Sequence, residues 1–212
     1  MTGTSRVTLA IEAAISGGSL CLIEAGVDIA TREGNSDISR AEDLLAEIDG
    51  MLTETGRRIA DVGLVAVSAG PGSFTGIRIG IATAQGLTTG LGIELASESA
   101  LRAMAKAHPG HRDLLVAVPA GRGTVCYQIF NSTVGGDVDT NSRPLTANQA
   151  VFLSSIPDHG DRTVLLHRDL FETIDSQPNV IDFGRNVAGA IGRICDTVPL
   201  PRTSPLFISK EQ

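Results

Sequence analysis

The sequence is poor in aromatic and sulfur-containing side chains. It has no Trp, one Tyr and six Phe among 212 residues, which predicts an aliphatic core and leaves few ring surfaces for stacking nucleic-acid bases. The three cysteines, Cys21, Cys126 and Cys195, are widely spaced. They predict neither a disulfide framework nor a four-cysteine zinc site, so a reducing, intracellular compartment is expected.

Long apolar runs and an excess of basic charge are also lacking. Nowhere do 18 apolar residues follow one another, and the N-terminal residues show no charged region before a long apolar run. We therefore expect a soluble, cytoplasmic protein with no membrane partner. The 17 basic and 24 acidic residues give a net charge of −7, so the chain as a whole repels polyanions. Direct binding of RNA or DNA by this chain alone is disfavoured.

Hydrophobic residues make up 42% of the chain, enough for one large domain or two small lobes with their own cores. In the first half, β-branched runs and helical periodicity predict the order β-β-β-α-β-α-β-α. The expected strands are Val7 to Ile15, Ser19 to Ile23, Val27 to Thr31, Val62 to Ser68 and Gly92 to Ala96, and the expected helices begin at Ser36, Ser73 and Ser97. A hairpin followed by crossover helices predicts a mixed sheet with helices packed on it.

The Pro- and Gly-containing loop at residues 108–111 is the best candidate for a boundary between two lobes, 1–107 and 108–212. The second lobe is smaller and less regular in pattern. It is expected to contain strands at Leu114 to Val118, Val125 to Asn131 and Thr163 to Leu166, a weak helix at Thr146 to Leu153, a helix at Val187 to Cys195 with Gly184 and Gly189 in it, and an extended tail at Leu206 to Ile208 docked on a sheet edge.

Residues 70–87 combine a glycine-rich loop with the start of a helix, after a strand. They read Gly-Pro-Gly-Ser-Phe-Thr-Gly-Ile-Arg-Ile-Gly-Ile-Ala-Thr-Ala-Gln-Gly-Leu. Such a loop places backbone N–H groups toward an anion. Neither Gly-Lys-Ser/Thr nor G-x-G-x-x-G in the required register is present, so both common nucleotide fingerprints are missing. Ser73 directly follows Gly72, which excludes the G-x-S-x-G nucleophile elbow and predicts a helix N-cap.

Small residues recur every four positions in this helix, at Gly72, Gly76, Gly80 and Ala84. Glycine inside a helix costs about 1 kcal/mol relative to alanine, which indicates that something approaches the backbone closely. Two interpretations stay open: the stripe packs on the protein's own sheet, or it docks a helix of a second subunit. Arg78 is disfavoured by the helix dipole, so we expect it to meet an intramolecular carboxylate or an acceptor at a subunit boundary.

The run Gly-Pro-Gly-Ser-Phe-Thr-Gly with Ile77, Arg78 and Gly80 after it resembles the hallmark motif of the TsaB (YeaZ) family, of the peptidase M22 or glycoprotease-like superfamily. Weaker similarities extend over most of the chain. They are the Leu9 strand and its hairpin, the helix at Leu44 and Leu45, the strand pair from Leu114 to Phe130, and Ser204 to Ile208. The resemblance implies the α/β fold of actin, Hsp70 and sugar kinases (ASKHA), with two lobes of mixed sheets flanked by helices.

The resemblance implies a non-catalytic subunit. TsaB-like proteins support the related TsaD protein and act with the ATPase TsaE in N6-threonylcarbamoylation of adenosine 37 of tRNA. We thus expect TsaD-like and TsaE-like partners, a homodimer in isolation, and tRNA contact only indirectly. No cofactor is expected for this chain, and ATP would act only within the complex. The glycoprotease name is expected to mislead here.

The partner or dimer interface implied by the resemblance lies on the helices that begin near Ser36 and Ser73. Its expected residues are Leu45, Ser73, Phe74, Thr75, Gly76, Arg78, Ile79, Gly80 and Thr83. No catalytic residue and no metal ligand is assigned.

Three departures from the family pattern affect this expectation. Glu12-Ala13-Ala14 stands where the family has Asp-Thr and a small residue, the segment from Val118 through Pro119 to Cys126 lacks the family's acid and Glu, and the helix near Ser36 lacks a family His. These changes make nucleotide or metal use by this chain less expected. They also allow that the chain is a divergent paralogue with a shifted role.

Two other classes stay open. An ASKHA-type phosphotransferase or an M22-type metallopeptidase would bind ATP or a metal, and a divergent homodimer would have a regulatory role. The Pro-Gly between His108 and His111 prevents these two side chains from sharing a helical face, unlike the His-x-x-x-His pair of TsaD proteins. They are expected to be exposed loop histidines.

Overall fold

The computed structural model describes residues 6–34, 40–111, 113–132, 138–139, 142–174 and 177–197. Within these residues the chain forms two mixed β-sheets, one of five and one of six strands. The predicted helix start at Ser36 and the predicted extended tail at Leu206 to Ile208 lie outside them. None of the helices in these ranges is long and apolar enough to cross a membrane.

The first sheet has the order β3-β2-β1-β4-β5. Strands β1, β2 and β3 form an antiparallel meander, while β4 and β5 run parallel to β1. This is the hairpin and crossover arrangement that the sequence predicts. The strands are β1 (Val7–Glu12), β2 (Ser19–Glu24), β3 (Val27–Glu33), β4 (Val62–Ser68) and β5 (Glu94–Glu98).

Helices cover both faces of this sheet, and β1 and β4 are therefore buried on both sides. One face packs against α1 (Arg40–Glu54) and α2 (Phe74–Leu91), with Leu9 and Ile11 of β1 in the shared core. Ala10 points the other way, into a second core that includes residues of α3 (Ala100–Lys106). The predicted helix start at Ser97 is wrong, since β5 continues to Glu98 and the Ser99 hydroxyl caps α3.

The second sheet repeats the arrangement of the first, with the order β11-β10-β6-β7-β8 and with β9 also paired to β7. Strand β7 pairs antiparallel with β6. On the other side of β6, β10 pairs parallel with β6 and β11 pairs parallel with β10. The strands are β6 (Leu114–Pro119), β7 (Thr124–Ser132), β8 (Val138–Asp139), β9 (Leu145–Asn148), β10 (Thr163–His167) and β11 (Val180–Gly184). The helices are α4 (Gln149–Ser155), α5 (Arg168–Phe171) and α6 (Val187–Thr197).

The second lobe departs from the sequence prediction in three places. The segment expected as one helix from Thr146 is strand β9 followed by α4, because the Asn148 side chain accepts the N–H of Ala150 and Val151 and starts the helix there. Strands β8 and β11 and helix α5 were not predicted. Gly184 ends β11 and is not part of α6.

Helices α3 and α6 form a layer between the two sheets, and one core joins them to residues of both, such as Leu64 and Val116. Although α6 follows the predicted boundary at residue 107, it packs on β1 and β2. Gly192 of α6 lies so close to Ile23 and Ala10 that a Cβ would not fit. All three cysteines are buried and free.

Candidate functional site

A cleft of about 560 Å³ opens where the two lobes face each other. It is formed by the loop between β1 and β2, the first turn of α2, the turn between β6 and β7, and the starts of α4 and α5. The residues that line it are Ala13, Ala14, Ser16, Gly17, Ser73, Thr75, Gly76, Ile79, Pro119, Gly121, Gly123, Thr124, Gln149, Asp169 and Leu170. Its position between duplicated lobes and beside a glycine-rich loop makes it the natural candidate for a ligand site.

The β1–β2 loop does not turn its first backbone N–H groups toward this cleft. The carboxylate of Glu12, which is buried, accepts the N–H of Ala14 at 2.6 Å and the N–H of Ile15 at 3.1 Å. Gly17 and Gly18 then adopt φ of +77° and +73°, conformations that favour glycine, and close the hairpin. Two amides that a phosphate could use are therefore bonded within the chain.

The cleft is also poor in positive charge. Among the described residues that line it, Asp169 is the one with an ionisable side chain, and no Lys or Arg is present. Burial alone would raise the pKa of Asp169, but hydrogen bonds from Ser16 and Arg185 outweigh it and hold the pKa below its usual value. The Arg185 Nε lies 2.7 Å from the Asp169 Oδ1. Arg185 thus pairs with the one lining carboxylate from outside the cleft, and no Lys or Arg among the described lining residues faces the space that a phosphate would occupy.

His167 is the last residue of β10 and lies two positions before Asp169 in the chain. It is 2% exposed, and its Nδ1 accepts the N–H of Asp169 at 3.3 Å, which caps α5. Burial lowers the pKa of His167 to about 4. The imidazole is therefore neutral near pH 7 and acts as a structural acceptor, with its ring inside the core rather than in the cleft.

The stripe of small residues in α2 faces the protein's own chain. The place of a Cβ on Gly76 is occupied by the carbonyl oxygen of Ala13, and a Cβ on Gly72 would be 2.6 Å from the carbonyl oxygen of Ala14. Gly80 is buried against Ala13 and the sheet. The expectation that Gly76 and Gly80 belong to a docking face is therefore corrected: they pack inside the first lobe, where the helix must come close to the β1–β2 loop.

The outer side of α2 carries the exposed residues of the predicted interface. Phe74 is 60% exposed, and the guanidinium of Arg78 lies 4.4 Å above its ring. Within the part of the chain that the structure describes, Arg78 forms no ion pair with a carboxylate, so its expected intramolecular partner is an aromatic ring instead. Leu45 of the neighbouring helix α1 is 61% exposed.

The other predicted interface residues divide between the cleft and the helix. Ser73, Thr75 and Ile79 line the cleft, and the Ser73 hydroxyl accepts the N–H of Gly76 as the predicted N-cap. Thr83 is half-buried on the helix. The first turn of α2 thus presents one side to the cleft and the other, with Phe74 and Arg78, to the outside.

The histidines in the loop between α3 and β6 are not the fully exposed residues that the sequence predicts. His108 is half-buried and packs against Phe183 with ring centroids 5.6 Å apart and the rings tilted by 51°, and burial lowers its pKa. The His111 Nδ1 lies 3.4 Å from the Thr163 hydroxyl. In the ranges that the structure describes, no three His, Cys, Asp or Glu side chains converge as metal ligands would.

Sequence reasoning missed Asp169 and Gln149 as cleft residues. Asp169 and its partner Ser16 are far apart in the chain, and only the pairing of β10 with β6 brings α5 to the cleft. The one local signal was Asn148. Asparagine is a favoured N-cap residue, and an N-cap at this position would have placed Gln149 at the start of a helix.

Two lobes with the same strand arrangement, joined by a shared helical layer and enclosing a cleft, define an ASKHA-like protein. The structure of YeaZ from Pseudomonas aeruginosa shares the fold, with a TM-score of 0.65 at 18% identity over 90% of this chain and 92% of that one. A second structure, of a Pseudomonas aeruginosa protein with similarity to peptidase YeaZ, matches at a TM-score of 0.65 and 20% identity over 90% of each chain.

The sequence comparisons agree with this fold. The family model described as TsaD, tRNA N6-adenosine threonylcarbamoyltransferase, matches residues 38–149, more than half of the chain. The tRNA threonylcarbamoyladenosine biosynthesis protein TsaB of Escherichia coli K12 is 34% identical over 96 residues, 44% of this chain and 42% of that protein. TsaB of Haemophilus influenzae is 42% identical over 64 residues, 30% of this chain and 27% of that protein.

The chain therefore belongs to the family that this model describes, as a member of its TsaB/YeaZ group. The matched regions span less than half the length of the curated relatives.

Proposed function

We propose that this protein is a non-catalytic subunit in the biosynthesis of tRNA threonylcarbamoyladenosine, and that it supports a TsaD-like protein by docking through the outer sides of α1 and α2. Two of its relatives are named as TsaB proteins of that pathway. In this proposal a TsaE-like ATPase joins the complex, tRNA is contacted through the partner, and the isolated chain forms a homodimer through the same surface.

The observation that carries the proposal is the pair of Phe74 and Arg78 on the first turns of α2. An aromatic side chain that is 60% exposed, with a guanidinium over its ring, combines two residue types that are enriched at protein–protein interfaces. Leu45 extends the apolar surface onto α1. We define this docking surface by Leu45, Phe74 and Arg78.

The residues that line the cleft support a non-catalytic role. Glu12 engages loop amides, and the described residues that line the cleft include no Lys or Arg that would neutralise phosphates. We propose that any ATP is bound and hydrolysed by the partners. An ASKHA-type phosphotransferase would need free backbone N–H groups to bind phosphate. In this cleft the N–H groups of Ala14 and Ile15 are bonded to Glu12 instead.

The test is light scattering coupled to size exclusion, on the chain alone and mixed with the TsaD-like protein of the same genome, with and without ATP. We expect a heteromer with the wild-type chain. Phe74→Ala and Arg78→Ala should each weaken it by at least about tenfold in Kd, since hot-spot truncations cost roughly 2 kcal/mol. Val151→Ala is the matched control, because Val151 is 66% exposed on α4, in the other lobe.

Absence of a heteromer under every nucleotide condition would contradict the proposal. A homodimer that persists beside the TsaD-like protein, and that Phe74→Ala dissociates, would show that the docking surface serves self-association. Stoichiometric metal or ATP bound by the purified chain would instead favour the metallopeptidase or phosphotransferase alternative.

A further inference from the structure

Glu12 is a buried acid at the end of β1 that the docking surface does not include. Its side chain is 1% exposed. One carboxylate oxygen accepts the N–H of Ala14 at 2.6 Å and that of Ile15 at 3.1 Å, and the other oxygen lies 3.3 Å from the Ile15 nitrogen. Hydrogen bonds from backbone N–H groups to a carboxylate are about twice as strong as neutral ones. Glu12 therefore holds the first turn of the β1–β2 loop in place.

The same turn supports the start of α2. The carbonyl of Ala14 accepts the N–H of Ser73 at 2.7 Å. The carbonyl of Ala13 lies against the Cα of Gly76, where no Cβ would fit, and Gly72 is similarly close to Ala14. These contacts leave α2 little room to shift relative to the loop. They form a continuous path from Glu12 through two loop carbonyls to the first turn of α2.

We propose that Glu12 is a positioning residue for the docking surface. By fixing the carbonyls of Ala13 and Ala14, it fixes the turn from which Phe74 and Arg78 project. The identity of the partner rests on the proposed function, whereas the positioning itself is a property of the isolated chain. A mobile first turn would have to become ordered on binding, which lowers affinity.

The first experiment measures amide hydrogen exchange in the isolated chain for wild type, Glu12→Ala and Glu12→Gln. Glu12→Ala removes the acceptor, so exchange at the Ser73 amide should accelerate by about tenfold or more through local opening. Glu12→Gln keeps a carbonyl acceptor for the loop and should stay near wild type. If Glu12→Ala does not fold, Glu12→Asp replaces it, because the shorter side chain cannot reach both amides.

The control for general destabilisation is Phe152→Leu, a buried substitution in the other lobe. It should lower Tm without changing exchange at residues 73–78 relative to the rest of the protein. Unchanged relative exchange at Ser73 in Glu12→Ala, or in Glu12→Asp in its place, would overturn the positioning claim.

The second experiment measures the Kd for the TsaD-like protein with the same variants. We expect Glu12→Ala to raise Kd by about tenfold while Phe152→Leu and Glu12→Gln do not, since only Glu12→Ala frees the first turn of α2. Equal binding by wild type and by a Glu12→Ala variant with fast Ser73 exchange would overturn the link to docking. If the wild type binds no partner, the proposed function fails, and the exchange data alone still decide whether Glu12 positions α2.

Discussion

Two glycines of α2 have opposite surroundings, although both lie inside one helix. Gly76 is packed against the carbonyl of Ala13, whereas nothing lies within 4 Å of a Cβ placed on Gly86. We expect Gly76→Ala to destabilise the protein by about 1–3 kcal/mol through overpacking. Gly86→Ala is the matched control, and it should stabilise by about 0.5–1 kcal/mol because helix propensity alone applies. Denaturant unfolding of both variants measures the difference, and equal effects would contradict the packing described for the stripe.

Acid sensitivity follows from the environment of His167. Burial lowers its pKa from 6.5 to about 4, so the folded protein favours the neutral ring. The resulting stability is fully present above pH 6.5 and is lost as pH falls through the folded pKa. It amounts to about 3 kcal/mol, from 1.36 kcal/mol per pKa unit.

His167→Asn tests this expectation because asparagine keeps a cap acceptor for α5 and does not titrate. Urea unfolding between pH 7 and pH 4 should show a smaller loss of stability in the variant than in the wild type. The lowered pKa of Asp169 acts at more acidic pH in both proteins. The same pH slope in both would contradict the assignment to His167.

At the scale of elements, the start of α4 shows how a cap decides between strand and helix. The Asn148 Oδ1 accepts the N–H of Ala150 at 3.0 Å and that of Val151 at 3.3 Å, so helix begins where β9 ends. We expect Asn148→Ala to cost about 1 kcal/mol in the free energy of unfolding and Asn148→Asp to cost little. Chemical denaturation decides, and a loss of similar size in both variants would contradict a role for the cap.

Element type could be predicted where the pattern is long. The strand at Val62 to Ser68, the N-cap at Ser73 and the end of α1 shortly before Gly56 follow from apolar runs and from residues with one strong conformational preference. Strand β11 could not be predicted, because its five residues are half-buried, contain an Asp, and are strand mainly through pairing with β10. The place of Asp169 in the cleft depends on such strand pairings, so the sequence did not predict it. The glycine-rich loop beside the cleft could be predicted because its motif is local.

At the scale of the whole molecule, the middle layer packs against the sheets of both lobes, so we expect the two lobes to unfold as one cooperative unit. Helix α6 comes from the last part of the described chain yet covers the first sheet, with Gly192 against Ile23. A fragment of residues 1–107 would expose that face of the sheet to water. We expect this fragment to lack a cooperative thermal transition while the full chain shows a single one, as read by calorimetry. A folded 1–107 fragment would contradict this expectation and favour independent lobes.

The same middle layer determines how the cysteine thiols react with alkylating reagents. Cys21 and Cys195 contribute to its core, and burial raises the pKa of each to about 12. Burial also raises the pKa of Cys126. Because an exposed thiolate is the nucleophile that attacks an alkylating reagent, native molecules should be unreactive toward iodoacetamide and unfolded ones reactive at three positions. A short alkylation pulse followed by mass spectrometry therefore counts unfolded molecules directly in a mixture with the partner, without any engineered label.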